Sequence, residues 1–157
     1  MNRRDARQAA LCMIFDYSFH SEEKAEEILE LYIENFRDEE DNCISEELRN
    51  DDYFTKVYFG VIASIPSLDE IITKCSKKWS MSRISRVAVS IMRLALYEII
   101  YMEDIPTQVS INEAVELAKK FDSDDSYTFI IGILGAAEKM LAEEKANNER
   151  QKAFSRN

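Results

Sequence analysis

Among side chains able to do chemistry, the chain has one histidine, three cysteines and an N-terminal cluster of arginines. His20 has no nucleophile motif such as G-x-S-x-G to serve, and a serine or cysteine nucleophile needs an activating base within hydrogen-bond reach. It reads as the end of a first helix. Cys12, Cys43 and Cys75 are widely spaced and never paired as C-x-x-C, which argues against a zinc knuckle, a dithiol redox motif or a secreted disulfide framework and fits a reducing cytoplasm. Gly60, Gly132 and Gly135 fall inside helical patterns, so a glycine-rich phosphate loop is not expected either. These checks predict a protein that is not an enzyme, with no catalytic residue, no metal ligand and no cofactor.

Arg3, Arg4 and Arg7 point elsewhere. A guanidinium stays charged and donates paired hydrogen bonds, so three of them at a helix start suit phosphate recognition. Cations there oppose the helix dipole, and solvated surface charge is the plain alternative. Phe121 and Phe129 flank the turn from Asp122 to Ser126. Exposed beside basic residues they would stack unpaired bases; buried they would be ordinary core, and their spacing decides neither.

A net charge of −10 counts against nucleic-acid binding unless it is unevenly distributed. Acids crowd the stretch from Glu22 to Asp52, whereas Ile71 to Tyr97 holds Lys74, Lys77, Lys78, Arg83, Arg86 and Arg93 with no acid. One basic face and one acidic face are expected. No apolar run approaches the 18 or so residues that span a bilayer, and neither a signal peptide nor a membrane anchor is read.

The elements that must position these groups are helices. Three glycines and two prolines in 157 residues leave little for hairpin turns. Apolar spacings of three and four predict a first helix from Arg4 to Phe19 and a second, capped by Ser21, ending near Arg37. Asp38 to Asp52 reads as a solvated acidic loop. A third helix buries Tyr53, Phe54, Val57, Tyr58, Val61 and Ile62 and ends at Pro66. A fourth starts from a capping box of Ser67 and Glu70 and turns Leu68, Ile71, Ile72 and Cys75 inward. After a basic loop, Ser80 to Ser85, the fifth helix, Arg86 to Met102, is apolar around so much of its circumference that it should be central. Arg93 and Glu98 lie inside it and need partners, for which Glu113 is a candidate for Arg93. The sixth helix, Ser110 to Phe121, is read from a second capping box, Ser110 and Glu113. The seventh, Asp124 to about Lys145, buries Tyr127, Ile130, Ile133, Leu134, Ala137 and Leu141 and leaves a polar tail.

The segments R-R-D-A-R-Q-A-A-L from Arg3, I-M-R-L-A-L-Y-E-I from Ile91, I-P-T-Q-V-S-I-N-E-A-V-E-L-A-K-K-F from Ile105 and F-I-I-G-I-L from Phe129 together resemble the NusB family over nearly the whole chain. The resemblance implies an all-α fold of about seven helices in two small bundles, residues 1–65 and 66–145, with a flexible tail, 146–157. It also implies binding of single-stranded boxA-type RNA together with NusE, a small-subunit ribosomal protein. The pair would associate with elongating RNA polymerase and support processive transcription of ribosomal RNA operons.

By position, the family's arginine motif falls on Arg3, Arg4 and Arg7, its RNA-facing aromatic on Phe15, and its surface cluster on Phe121, Asp125 and Phe129. Four positions depart from the common pattern: Ala88 stands where an acid is usual, Ile131 and Gly135 where polar groups are, and Cys12 where a glutamine is frequent. A second reading follows from the charge and these departures, a helical protein-interaction module of the same fold with weak or lost RNA binding. Homodimerisation is left open.

Overall fold

The computed structural model describes residues 1–20, 22–35, 46–77, 84–123 and 125–155, which form seven α-helices and one short 3-10 turn with no strand. The helices are α1 (Arg3–Tyr17), α2 (Ala25–Asn35), α3 (Asp52–Ala63), α4 (Ile65–Cys75), α5 (Arg86–Tyr101), α6 (Thr107–Phe121) and α7 (Ser126–Ser155), with the 3-10 turn at Glu46–Asn50. Three starts carry a side-chain cap for an otherwise orphaned amide: Asn2 accepts from Asp5 N–H, Asp51 from Phe54 N–H and Ser85 from Ala88 N–H.

Both expected capping boxes fail, and the prolines explain why. Pro66 lies in the first turn of α4 and Pro106 immediately precedes α6. A proline at a helix start gives up only an amide that has no intrahelical partner, so it begins these helices and does not break them. Ser67 therefore sits one turn inside α4 and donates to the Ser64 carbonyl at 2.9 Å. Ser110 sits inside α6, where it is buried.

Other expected boundaries also shift. Leu48, in the acidic stretch read as solvated, is fully buried in the 3-10 turn. Ile71 and Cys75 are half-buried at the core edge. α7 continues to Ser155, ten residues beyond Lys145, and every residue from Ala142 to Ser155 is exposed. Ser21, residues 38–45 of the acidic loop, Cys43 and Arg83 lie outside the described residues.

α5 is the hub, as its apolar circumference predicts. It packs on α1, α3, α4, α6 and α7, and nine of its residues are buried, including Ile91, Met92, Leu94 and Leu96. At about 1.5–3 kcal/mol for each large apolar side chain removed from water, this helix contributes more to the core than any other described one. α3 meets it through Gly60, where a Cβ would lie 2.2 Å from Tyr97 Oη, so the two helices cross at a glycine. No helix among the described residues is long and apolar enough to cross a membrane.

Glu98 knots four helices together. Its carboxylate is fully buried on α5, accepts Arg7 Nε at 2.8 Å and Nη2 at 3.1 Å from α1, and accepts the Ser110 hydroxyl of α6 at 2.9 Å. The Tyr53 hydroxyl of α3 donates to the same carboxylate at 2.5 Å. Four donors around one buried acid satisfy the condition under which such a charge is tolerated.

The expected pairing of Arg93 with Glu113 is not formed. Arg93 is held by both oxygens of Asp69 on α4, each at 2.8 Å. Arg93 and Glu98 are five residues apart, about 140° around the helix, so one faces α4 while the other faces α1 and α6.

Candidate nucleic-acid interface

The three arginines lie within about 100° of one another around the start of α1, yet they have different partners. Arg3 leans over the Tyr53 ring at 4.5 Å while remaining exposed. Arg4 reaches toward α6, where its Nη2 donates to Glu113 Oε1 at 3.1 Å. Arg7, expected to contact phosphate, has a side chain only 5% exposed and is consumed by Glu98. Burial lowers its pKa, but the hydrogen bond and charge of Glu98 outweigh that and raise it overall, so it stays cationic. Its place in the site is to hold α1, not to reach a strand.

Arg4 has the opposite character. Its side chain is 73% exposed, and the hydrogen bond and charge of Glu113 raise its pKa. Glu113 also lies 3.7 Å from Arg7 Nη1, so one carboxylate sits between a fixed guanidinium and a mobile one. These residues line a groove of about 370 Å³ between α1 and α6, to which Gln8, Lys119 and Lys120 add polar and cationic groups. Lys120 Nζ donates to Gln8 Oε1 at 2.7 Å, tying the end of α6 to the middle of α1.

This bond brings the last turn of α6, one residue before Phe121, to the first helix. Ser85 ties the turn that follows to the start of α5, donating to Asp122 at 2.7 Å while capping α5.

The aromatics separate. Phe121 closes α6 with 37% of its surface exposed and Lys120 Nζ 5.4 Å from its ring centre. Phe129 is half-buried against the core, so it supports the turn more than it presents a face. Asp125 is exposed between them. Phe15 lies eleven residues from Arg4 on the same side of α1, about 16 Å along the axis. It is half-buried in an edge-to-face pair with Phe19 at 5.0 Å, away from the groove lining.

Sequence reasoning missed four residues. Gln8, Lys119 and Lys120 enter the groove only through the pairing of α1 with α6, although Arg4 and Gln8 do stand one helical turn apart. Tyr127, expected in the core, is 38% exposed with Lys119 Nζ 5.8 Å from its ring centre, a second aromatic beside a cation.

The departures from the family pattern have visible consequences. Ala88 is fully buried, so nothing at that position faces a partner. Ile131 is 45% exposed, and a Cβ at Gly135 would meet open space.

Comparison with known proteins bears on the whole arrangement. A transcription antitermination protein NusB of Clostridium novyi is 36% identical over 137 residues, covering 86% of this chain and 96% of that one. A solved NusB structure from T. maritima superposes with a TM-score of 0.72 at 30% identity, covering 88% of this chain and 92% of its own. A structure of antitermination factors NusB and NusE in complex with dsRNA matches the fold at 22% identity, with a TM-score of 0.69 and coverage of 88% and 96%. The family model for the NusB family matches residues 4–139. From the N-terminal arginine segment to the middle of α7, the chain belongs to the NusB family.

Proposed function

We propose that this protein is an RNA-binding adaptor of transcription antitermination. It takes boxA-type single-stranded RNA together with a NusE-like ribosomal protein and supports processive transcription of ribosomal RNA operons by the elongating polymerase. Its work is binding, with no reaction catalysed, in the cytoplasm where nascent transcripts are made. The carrying observation is the groove in which the exposed Arg4 guanidinium and Lys120 lie on two helices joined through Gln8, with the exposed Phe121 ring next to Lys120 at the end of α6.

Arg3 and Arg4 neutralise phosphates, Phe121 stacks a base, and Asp125 accepts from a base edge; Phe129 backs the turn from within, and Phe15, farther along α1, would meet a more distant part of the strand. The relatives' role in antitermination and the NusB–NusE–RNA assembly of a protein with this fold support the choice of partners. The same reading divides the chain near Pro66 into bundles of residues 1–65 and 66–145.

The test is a titration of boxA-type RNA, with and without the NusE-like protein, across a salt series. Arg4→Ala should weaken all RNAs about equally and flatten the dependence on salt, because a phosphate contact is lost. Phe121→Ala should cost about 1–3 kcal/mol of affinity and leave that dependence nearly intact, since stacking releases no counterion. If both variants stay folded and bind as the parent does, the face is wrong and the protein-interaction reading takes its place.

A further inference from the structure

We propose that the groove between α1 and α6 seats one RNA phosphodiester, and that Glu113 is its built-in competitor, a carboxylate that holds the Arg4 guanidinium until a phosphate displaces it. The inference rests on the RNA-binding reading above and adds a regulator to that site.

Two arginines share Glu113 on unequal terms. Arg7 is sequestered, 5% exposed and already bonded twice to Glu98, so it cannot turn toward a ligand. Arg4 is 73% exposed, and its contact to Glu113 crosses from α1 to α6 at the mouth of the groove. Glu113 takes one N–H of Arg4, through Nη2, and a phosphodiester that engages the guanidinium through both of its oxygens along an edge containing Nη2 competes for that N–H.

When a phosphate takes Arg4, Glu113 is not stranded. Arg7 Nη1 stays 3.7 Å from its second oxygen, and the carboxylate keeps 18% exposure to water. The exchange swaps one solvent-accessible ion pair for another, a change of small magnitude that lets the contact open and close. Lys120, fixed by Gln8 at 2.7 Å, stands across the groove as a second donor to the incoming phosphate.

Glu116 supplies an internal control. It lines the same groove and is exposed, yet it acts on Arg4 only through its charge and makes no hydrogen bond to it. Glu116 pairs instead with Lys119, at 3.9 Å, so Glu113→Gln and Glu116→Gln change the net charge equally and differ in whether the cation released is Arg4 or Lys119.

The experiment is a fluorescence-anisotropy titration of a single-stranded boxA-type oligonucleotide at about 0.1 M salt. It uses the full chain and the variants Glu113→Gln, Glu116→Gln and Arg4→Ala, plus each glutamine variant combined with Arg4→Ala. Glu113→Gln should bind roughly two- to fivefold more tightly than Glu116→Gln, and this excess should vanish in the Arg4→Ala background. Equal tightening by the two glutamines, or an excess that survives without Arg4, overturns the proposal.

Should Glu113→Gln fail to fold by circular dichroism, Glu113→Asp replaces it. That variant keeps the charge but draws the carboxylate away from Arg4, so it should still bind more tightly than the parent, and no gain again overturns the proposal. Absence of RNA binding by the parent chain removes the RNA-binding reading and this inference together. Binding by the parent with no excess for Glu113→Gln removes the inference alone.

Discussion

At the scale of single residues, Glu98 and its donors decide how Arg7 must be read. Taking away one member of a buried ion pair leaves the other charge uncompensated, at about 3–5 kcal/mol. Arg7→Met should lower the free energy of unfolding by that amount and the denaturant midpoint with it, so RNA binding lost in this variant reports on folding. A midpoint equal to the parent's would show that the pair contributes nothing net. Arg4→Ala, at an exposed guanidinium, should leave the midpoint nearly in place, so the two arginines separate in one stability assay.

Tyr53 makes the same knot sensitive to alkali. Burial, then the Glu98 charge, raise its hydroxyl pKa above the ordinary value of 10.0. Burial also raises Tyr58 and Tyr97. A phenol whose folded pKa is raised keeps its proton where the unfolded chain has lost it, so its stabilisation is complete below the unfolded pKa and declines as pH rises above it. Stability should therefore fall from about pH 10 upward, starting at the ordinary tyrosine value. Tyr53→Phe should cost about 1–3 kcal/mol at neutral pH, by depriving Glu98 of a donor, and make the alkaline decline shallower. Parallel declines in urea titrations of the two proteins would remove Tyr53 from the account.

At the scale of elements, the crossing of α3 over α5 reverses a usual rule. Glycine to alanine inside a helix ordinarily stabilises by up to about 1 kcal/mol. At Gly60 the added methyl would run into the Tyr97 ring, which is itself packed on Tyr101 at 4.9 Å between ring centres. Overpacking of this kind costs about 1–3 kcal/mol and should dominate, so Gly60→Ala is expected to melt earlier than the parent. The deficit should shrink when Tyr97 is also replaced by alanine; an unchanged deficit would place the strain elsewhere. The end of α7 is the converse case. Residues 142–155 are exposed along their whole length, so a chain ending at Lys145 should keep its free energy of unfolding, from a denaturant titration, within about 0.5 kcal/mol. A larger loss would mean the distal turns pack on something.

At the scale of the whole molecule, folding rearranges the charge pattern of the linear chain. The stretch from Ile71 to Tyr97 looks purely basic, yet Arg93 is neutralised by Asp69 and Lys74 by Glu70 at 3.1 Å, both acids from α4. Arg7 is neutralised in the core. The exposed cations lining the α1–α6 groove are Arg4, paired with Glu113, Lys119, 3.9 Å from Glu116, and Lys120, and the exposed Arg3 precedes them on α1. Four phosphate contacts on a single strand correspond to a slope of about −3 in log affinity against log salt, or roughly a fiftyfold loss between about 0.05 and 0.2 M. A slope steeper than about −5 would show that further cations join the interface.

The all-helical class, the central place of α5 and the family could be read from the chain alone, because each depends on local spacing. Apolar periodicity and the scarcity of glycine and proline dictate helices, and a helix apolar on nearly all sides has nowhere to go but the middle. Arg4 and Phe121, singled out as candidates from residue type and place near helix ends, are both exposed in the fold. What spacing cannot specify is which helix a side chain turns to meet. Arg3, Arg4 and Arg7 are one motif in the sequence but meet different partners in the fold, Arg3 the Tyr53 ring of α3, Arg4 Glu113 of α6 and Arg7 Glu98 of α5, because three helices surround the start of α1. Glu113, read as a partner for Arg93, belongs to Arg4 and Arg7, and Gln8 and Lys120 join the site across 112 residues of chain. Such contacts arise only when α1 and α6 both pack on α5, so the tertiary structure alone decided which charges are buried, which are neutralised and which remain for RNA.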